Sequence, residues 1–526
     1  MSLTMLDTAV VVAYAIVIFG LAQWVSRRAA VTGSAGYFLA DRTLPWWAIG
    51  TSLIAANISA EQIVGMAGSG YAIGFAIASY EWMAAATLLV VGWLFLPVFL
   101  KHRISTMPQF LETRFGPRLR TVMAVFWLVL YVFVNLTSIL WLGSIAVTSV
   151  AGVDQDLAMA GLGIFALAYQ LRGGLRAVAL TDIVQVTLLV MGGLTIAVLT
   201  LGRIGEGQGI FAGFSRLVET APDHFHMILK AGDPYYKDLP GLSVLLGGMW
   251  IANLSYWGFN QYIIQRTLAA RSLEHARGGI VLAAFLKLLM PVIIVLPGVA
   301  AVALAPNLSK PDEAYPAMMH LLPPGLLGLV FAALMAAIVA STASKINSIA
   351  TIFTLDLYVR RIDPAADETR QVLVGRIAAC VAAAIGIVAA RPLLGGLDQA
   401  FQYIQEFSGF VTPGITVIFL TGLFWPRATE NGALAGALAS VVLSLVFWWP
   451  AAQGGSAVLN AVPFMDRMGF VFFAALGLTV VVSLAGAPPA SGARILDGVD
   501  FRPSRGFVAA SAVIIALLVT LYAVWW

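Results

Sequence analysis

Residues 55–64 read AANISAEQIV, and Asn57, Ser59, Glu61 and Gln62 stand there between an apolar run ending at Ile54 and another beginning near Phe75. Single carboxylate, amide or ammonium groups interrupt other apolar runs at Glu81, Asn253, Lys287, Lys345 and Gln405. Hydrocarbon penalises such side chains, so inside a span they face a bundle interior or a wet cavity and mark a path for solute or ion. The set supplies hydrogen-bond donors and acceptors of several kinds, which suits holding a polar solute. It does not suit intramembrane metal catalysis, which needs clusters of His, Cys or carboxylate. All five histidines, His102, His224, His226, His275 and His320, lie in loops. No GxxxxGK[ST] stretch provides for a nucleotide. The chain is read as a carrier and not as an enzyme.

The elements that position these groups are membrane helices. Of 526 residues, 60% are hydrophobic and 11% charged, more apolar sequence than a soluble core can use. Runs of roughly 20 apolar residues recur, long enough to cross hydrocarbon as helix, and the alternation of a β-barrel is absent. About 14 spans are predicted, near 7–26, 44–66, 75–100, 120–151, 156–171, 178–203, 241–265, 278–306, 324–357, 371–391, 398–425, 432–450, 467–486 and 505–525. The expected fold class is an all-α polytopic membrane protein forming a single domain.

Charge sets the expected orientation. No basic segment precedes the first span, so it is not a signal peptide, and Arg27 and Arg28 follow it. Those charges place the next loop in the cytoplasm and both termini outside. On that topology twenty of the 30 Lys and Arg residues fall on the cytoplasmic side, seven outside and three (Lys287, Lys345 and Arg376) within spans. The net charge of +4 includes no basic block suited to nucleic acid. The single cysteine, Cys380, rules out an intrachain disulfide and is read as packing. The loop 204–240 is expected to cover the outer mouth.

AANISAEQIV has an echo in IANLSYWGFN, residues 251–260, where Ala-Asn-Ile-Ser becomes Ala-Asn-Leu-Ser. Polar and glycine content (Gly65, Gly68 and Gly70 in the first case) predicts that both helices are interrupted, which is tolerated at membrane depth only inside protein or beside a cavity. The topology makes the two segments run in opposite directions. Corresponding broken helices of opposite sense point to an inverted repeat with the binding site between them. The repeats would cover about 44–203 and 241–425, flanked by the helices 7–26, 432–450, 467–486 and 505–525. Such an arrangement implies a secondary transporter.

The runs NISAEQIVGMAGSGYAIGFAIASYEW (57–82), ANLSYWGFNQYIIQRTLAA (252–270) and FQYIQEFSGFVTPG (401–414) resemble the sodium:solute symporter family, above all its bacterial sodium/galactose (sodium/glucose) branch. YQLRGGLRA (169–177) and GLFWPRATENGALAG (422–436) fit two further signatures of the family. The resemblance spans nearly the whole chain and implies the five-plus-five inverted repeat of LeuT-type transporters. It implies symport of Na⁺ with a neutral sugar by alternating access in a bacterial inner membrane.

By the same resemblance Gln62, Glu81, Asn253, Lys287 and Gln405 hydrogen-bond the sugar, with Tyr256 and Trp257 as aromatic platforms. Tyr256 is also the inner gate, and Met66, Tyr80 and Phe401 close the outer side. A pyranose suits the set: its hydroxyls need donors and acceptors, and its C–H face needs an aromatic ring. The carbonyls of Ala55, Ile58 and Ala337 and the hydroxyl of Ser341 would hold Na⁺, a hard cation that prefers oxygens. Asp182 matches an aspartate near the cation path. Plainer readings stand beside these: Glu81–Lys287 as a structural ion pair, the amides as interhelical bridges, the aromatics as packing, Asp182 as a helix N-terminal acid.

Two positions depart from the pattern. Ala84 stands where the galactose transporters have serine, and Ala340 where the family has a hydroxyl, with Thr342 the only nearby substitute. Lys345, four residues past Ser341, either competes with the cation or snorkels to the cytoplasmic interface, and snorkelling is the expectation. Other readings kept open are a proton-coupled or sodium-independent sugar or polyol transporter and a non-transporting sugar sensor. The sequence leaves the oligomeric state undetermined.

Overall fold

Apolar sequence becomes helix almost throughout this computed structural model, which describes residues 3–28, 42–104, 106–170, 175–397, 399–452, 462–489 and 495–526. Among the described residues nine helices are long and apolar enough to cross a membrane. A tenth is added if Ala400–Ser408 and Thr412–Phe424, bent by 44°, form one span. Two shorter apolar helices, Met5–Val17 and Gln155–Ala168, occupy expected spans. The expected count of about fourteen is not confirmed among the described residues; the expected spans 44–66 and 241–265, both predicted to be interrupted, are each divided.

The first divided segment runs as helix Trp46–Asn57, then Ile58 with φ −67° and ψ 110°, then a wide turn Glu61–Gly65 and helix Met66–Ile73. The second runs as helix Gly248–Asn253, a wide turn Leu254–Gly258, extended Asn260 (φ −83°, ψ 124°) and helix Gln261–Leu268. The full break in the second thus falls several residues after the Ala-Asn-Leu-Ser echo, where the helix only widens.

The two segments lie antiparallel. Leu44 N–H donates to the Ala269 carbonyl at 3.1 Å, Arg266 Nε donates to the Ser52 carbonyl at 3.1 Å, and Asn57 Nδ2 donates to the Tyr256 hydroxyl at 3.1 Å. As the number rises along one, it falls along the other. Glycines let neighbours come close: a Cβ on Gly68 would stand 2.8 Å from the Asp312 backbone, and one on Gly298 2.1 Å from the Ala67 carbonyl. Side-chain volume there would push the broken helix off its supports.

Burial separates centre from rim. The most apolar windows of Phe75–Lys101 and Leu326–Ile362 are 72% and 78% buried, against 28%, 28% and 22% for Glu430–Trp449, Phe464–Ala485 and Arg505–Val524. The three C-terminal helices therefore turn most of their surface outward. Glu368–Leu394, at 22%, shares that rim.

The loop 204–240 packs on the Tyr71–Phe75 end of the first broken helix. His224 Nε2 is 3.0 Å from the Tyr71 carbonyl, and Phe225 stacks on Phe75 with centroids 5.4 Å apart. Gly74, at φ +90°, makes the turn beneath it. Met227 N–H donates to the Trp525 carbonyl at 2.7 Å. At the amino end, Asp7 Oδ1 accepts from Gly325 and Gly328 N–H at 2.7 and 2.9 Å. Tyr71 completes the link, its hydroxyl donating to the Pro306 carbonyl at 2.9 Å. Both ends of the chain thus lie at the same end of the bundle.

Candidate functional site

A central cavity opens where the broken helices meet. Its walls include Asn57, Glu61, Gln62, Tyr80, Glu81, Ala84, Asn253, Tyr256, Trp257, Lys287, Phe401 and Gln405. The room inside it is about 100 Å³, below the roughly 300–1,000 Å³ range of small-molecule pockets. All seven expected substrate residues line it.

The polar wall is a connected chain. Lys287, on helix Leu273–Ile293, donates to Glu81 Oε2 at 2.6 Å and also to Asn57 Oδ1. Gln62 Nε2 donates to Glu81 Oε1 at 2.9 Å. Asn57 donates onward to the Tyr256 hydroxyl, which also accepts from Tyr262 at 2.7 Å. Lys287 and Glu81 have only 1% and 2% of their side chains exposed, so neither charge survives without the other. The ion pair read as structural is therefore present, and its carboxylate and ammonium also face the cavity. Asn253 Nδ2 donates to the Met249 carbonyl of its own helix at 3.1 Å, which ties its amide to that helix.

Aromatic rings cover the remaining faces. Trp257 stands edge-on to Tyr256, centroids 5.1 Å apart, with Lys287 Nζ 4.9 Å from its ring centre. Tyr80 and Phe401, also in the lining, meet edge to face at 5.1 Å. Met66, the third expected gate residue, is fully buried and is not among the residues that line the cavity. The hydroxyl of Tyr80 is buried without a partner among the described residues. A ligand hydroxyl or a water would relieve that cost.

One turn away is a set of oxygens suited to a hard cation. The first helix stops at Asn57, and a helix end leaves its last carbonyls without helical donors. Ser341, on helix Leu326–Thr351, donates its hydroxyl to the Ile58 carbonyl at 3.3 Å. Ala55 precedes Ile58 by three residues and Ala337 precedes Ser341 by four, so each lies about one turn back on its own helix. Asp182 belongs to helix Leu175–Ile204, but its side chain lies outside the described residues.

Comparison with known proteins agrees with this geometry. Residues 37–440 match the sodium:solute symporter family. The chain is 46% identical to a sodium/glucose cotransporter of Vibrio parahaemolyticus, over 100% of this chain and 99% of that one. The chain belongs to the sodium:solute symporter family. A human sodium/myo-inositol cotransporter 2 is 35% identical over 84% of this chain and 69% of its own. The solved structure of a Na⁺-coupled sialic acid symporter, substrate-bound and outward-open, has the same fold: TM-score 0.77 at 22% identity, covering 92% of this chain and 99% of that one. The protein is thus a multi-pass membrane symporter of LeuT-like fold with Na⁺ as its coupling ion, and not an enzyme.

The resemblance predicts two adjacent side-chain hydroxyls at this level of the helix. Ala340 brings none, and Thr342 Oγ1 donates to the Ile338 carbonyl of its own helix at 2.7 Å. Thr342 is fully buried and turned onto its helix, so it does not replace the missing hydroxyl. The carbonyl of Ile58 and the hydroxyl of Ser341 still fit Na⁺ as cargo.

The expectation that Lys345 snorkels is overturned. Lys345 is 2% exposed, and its Nζ donates to Glu61 Oε2 at 3.1 Å. Its four-carbon stem, on the face shared with Ser341, points inward to a carboxylate instead of along the helix to water. Two further residues of the site went unassigned in the sequence. Glu61 belongs to the polar cluster that marked the break but had no evident partner, because that partner lies 284 positions away. Tyr262 gave no signal at all; only the fold lays its hydroxyl on that of Tyr256.

Proposed function

We propose that this symporter carries a neutral, polyhydroxylated ring, a hexose or a cyclitol, inward with Na⁺ across a bacterial inner membrane, both termini facing outside. The supporting observation is the Lys287–Glu81–Gln62–Asn57 chain, which lines one cavity together with the rings of Tyr256, Trp257, Tyr80 and Phe401. A ring sugar presents hydroxyls that both donate and accept, and the ammonium, carboxylate and amides of the wall match them in turn. Gln405 and Asn253 serve the far hydroxyls, and Tyr256 and Trp257 the C–H face. Paired with Lys287, Glu81 adds no net charge to the wall, so a neutral solute fits better than an anion. The 46% identical Vibrio protein is named for glucose and the 35% identical human one for myo-inositol, solutes of this one chemical class. Ala84 takes a hydroxyl out of the wall, which leaves the choice between ring stereoisomers to the remaining amides.

In the transport step Na⁺ enters between the Ile58 carbonyl and Ser341, with Ala55 and Ala337 adding carbonyls and Asp182 along its path. It ties the first broken helix to Leu326–Thr351 and holds the polar chain assembled. Met66, Tyr80 and Phe401 close above the solute. Release inward follows when the Asn57–Tyr256–Tyr262 link opens and Tyr256 leaves the floor. The two repeats, about 44–203 and 241–425, supply the opposed motions.

Uptake of a panel of labelled hexoses, pentoses and cyclitols into proteoliposomes, with and without an inward sodium gradient, tests this. Accumulation of at least one neutral ring only with the gradient is the expected result. Accumulation of organic acids alone would overturn it.

A further inference from the structure

We propose that Lys345 is a tethered cation that neutralises Glu61 beside the sodium site and sets a weak affinity for sodium. The inference rests on the placement of Na⁺ between Ile58 and Ser341 argued above.

Four observations carry it. Lys345 lies one turn past Ser341, hence on the same face of its helix, and Glu61 follows Ile58 by three residues. The pair therefore joins the two elements that the ion joins. It is also closed off from water: 3% of the Lys345 side chain and 13% of that of Glu61 are exposed, so screening by solvent is small. Glu61 is held in place, with Ser138 donating to Oε1, Ser59 to Oε2 at 3.3 Å and its own N–H bonded to Ser59 Oγ at 3.2 Å. The ammonium is held in turn, 5.5 Å from the Tyr262 ring centre.

An unpaired carboxylate at the position of Glu61 would lower the energy of a sodium ion one turn away. With Lys345 bound to it, that attraction is cancelled, and the cross-link between the broken helix and Leu326–Ile362 stands whether or not an ion is present. Ala340 acts in the same direction by withdrawing one oxygen. Ala340 and Lys345, five residues apart on a single helix, thus both reduce what sodium gains by binding. Lys345 is not itself among the residues that line the cavity; it acts through Glu61, which is, as a positioning and charge-setting residue.

The test is equilibrium binding of ²²Na⁺ to the purified full chain in nanodiscs, without sugar, so that solute identity plays no part. Lys345→Met keeps the length of the side chain and removes the charge; it should lower the sodium half-saturation at least tenfold. The double variant Lys345→Met with Glu61→Gln should lose that gain. Glu61→Gln alone, which leaves the ammonium uncompensated, should raise the half-saturation at least threefold and serves if Lys345→Met does not fold. A half-saturation within twofold of the parent in Lys345→Met or in Glu61→Gln overturns the inference, as does a double variant that keeps the full gain. Ser341→Ala separates the two layers: loss of binding there upholds the sodium site independently of Lys345, whereas unchanged binding removes the site and the inference with it.

Discussion

The hydroxyl of Tyr256 accepts a 3.1 Å hydrogen bond from Nδ2 of Asn57, across 199 positions of sequence. That bond joins the two broken helices at the level where both depart from regular geometry. The same Asn57 amide accepts from Lys287 through its oxygen, so one side chain couples the ion pair of the polar wall to the tyrosine of the floor. Anything that changes the packing of the first break is therefore felt at the floor of the cavity.

Tyr256→Phe tests that coupling. The ring keeps its edge contact with Trp257, but the amide of Asn57 and the hydroxyl of Tyr262 lose their acceptor. Each buried donor left unpaired costs about 1–3 kcal/mol. The thermal unfolding midpoint should fall while the apparent affinity for solute changes less than in Tyr256→Ala, which also loses the ring. A midpoint equal to that of the parent would show that the link contributes nothing to the resting state.

Gln405→Ala and Lys287→Ala should both sharply reduce uptake, for different reasons. Gln405 lines the cavity on the bent pair Ala400–Ser408 and Thr412–Phe424, and its loss leaves a bound hydroxyl without a partner, worth about tenfold in affinity for each 1.4 kcal/mol. Folding should be untouched. Lys287→Ala instead strands the Glu81 carboxylate in a dry interior, which costs roughly 3–5 kcal/mol and should show as lower thermal stability as well. Lys287→Ala with Glu81→Gln removes both charges and should recover stability without recovering uptake. Wild-type uptake in either single variant would contradict the placement of the site.

These residues differ in how well the sequence announces them. Lys287, Glu81, Gln62 and Gln405 stand out because charge or amide in an apolar run is costly whatever the fold. Asn253 and Tyr256 were reached through the echo of Ala-Asn-Ile-Ser, although the full break lies later, at Phe259 and Asn260. An extended residue depends on which hydrogen bonds the surrounding helices leave open, and no short motif encodes that. Lys345 was misjudged for a related reason: the length of its side chain permits either water or Glu61, and only the three-dimensional position of the carboxylate decides. Hydropathy registers apolar content and not continuity, so the span count alone does not show which helices are broken.

Ala340→Ser should strengthen sodium binding. The added hydroxyl lies beside Ser341, at the level of the freed Ile58 carbonyl, and supplies the oxygen this member lacks. One such contact, at about 1.4 kcal/mol, corresponds to tenfold in affinity. Sodium-dependent uptake should reach half-saturation at lower sodium in the variant than in the parent, with the maximal rate little changed. Identical half-saturation in the two would remove the coordination argument at this position.

Stability should depend on pH through Asp238, in the loop 204–240. Burial, and then the charge of Glu406, raise its acid from 3.8 to about 6. The sign follows from linkage. Between these values the unfolded chain has already released a proton that the folded one retains, so protonation favours the fold. The contribution is complete below about pH 4 and is lost as pH climbs through about 6. Asp238→Asn mimics the protonated form at every pH. The variant should be the more stable of the two at pH 7.5, by a clearly smaller margin at pH 5, and by no margin below about pH 4. The difference between the two midpoints, followed from pH 5 to 7.5, isolates this group from every other titration in the chain. A difference that does not vary with pH would show that the Asp238 carboxyl is not held in its acid form by the fold.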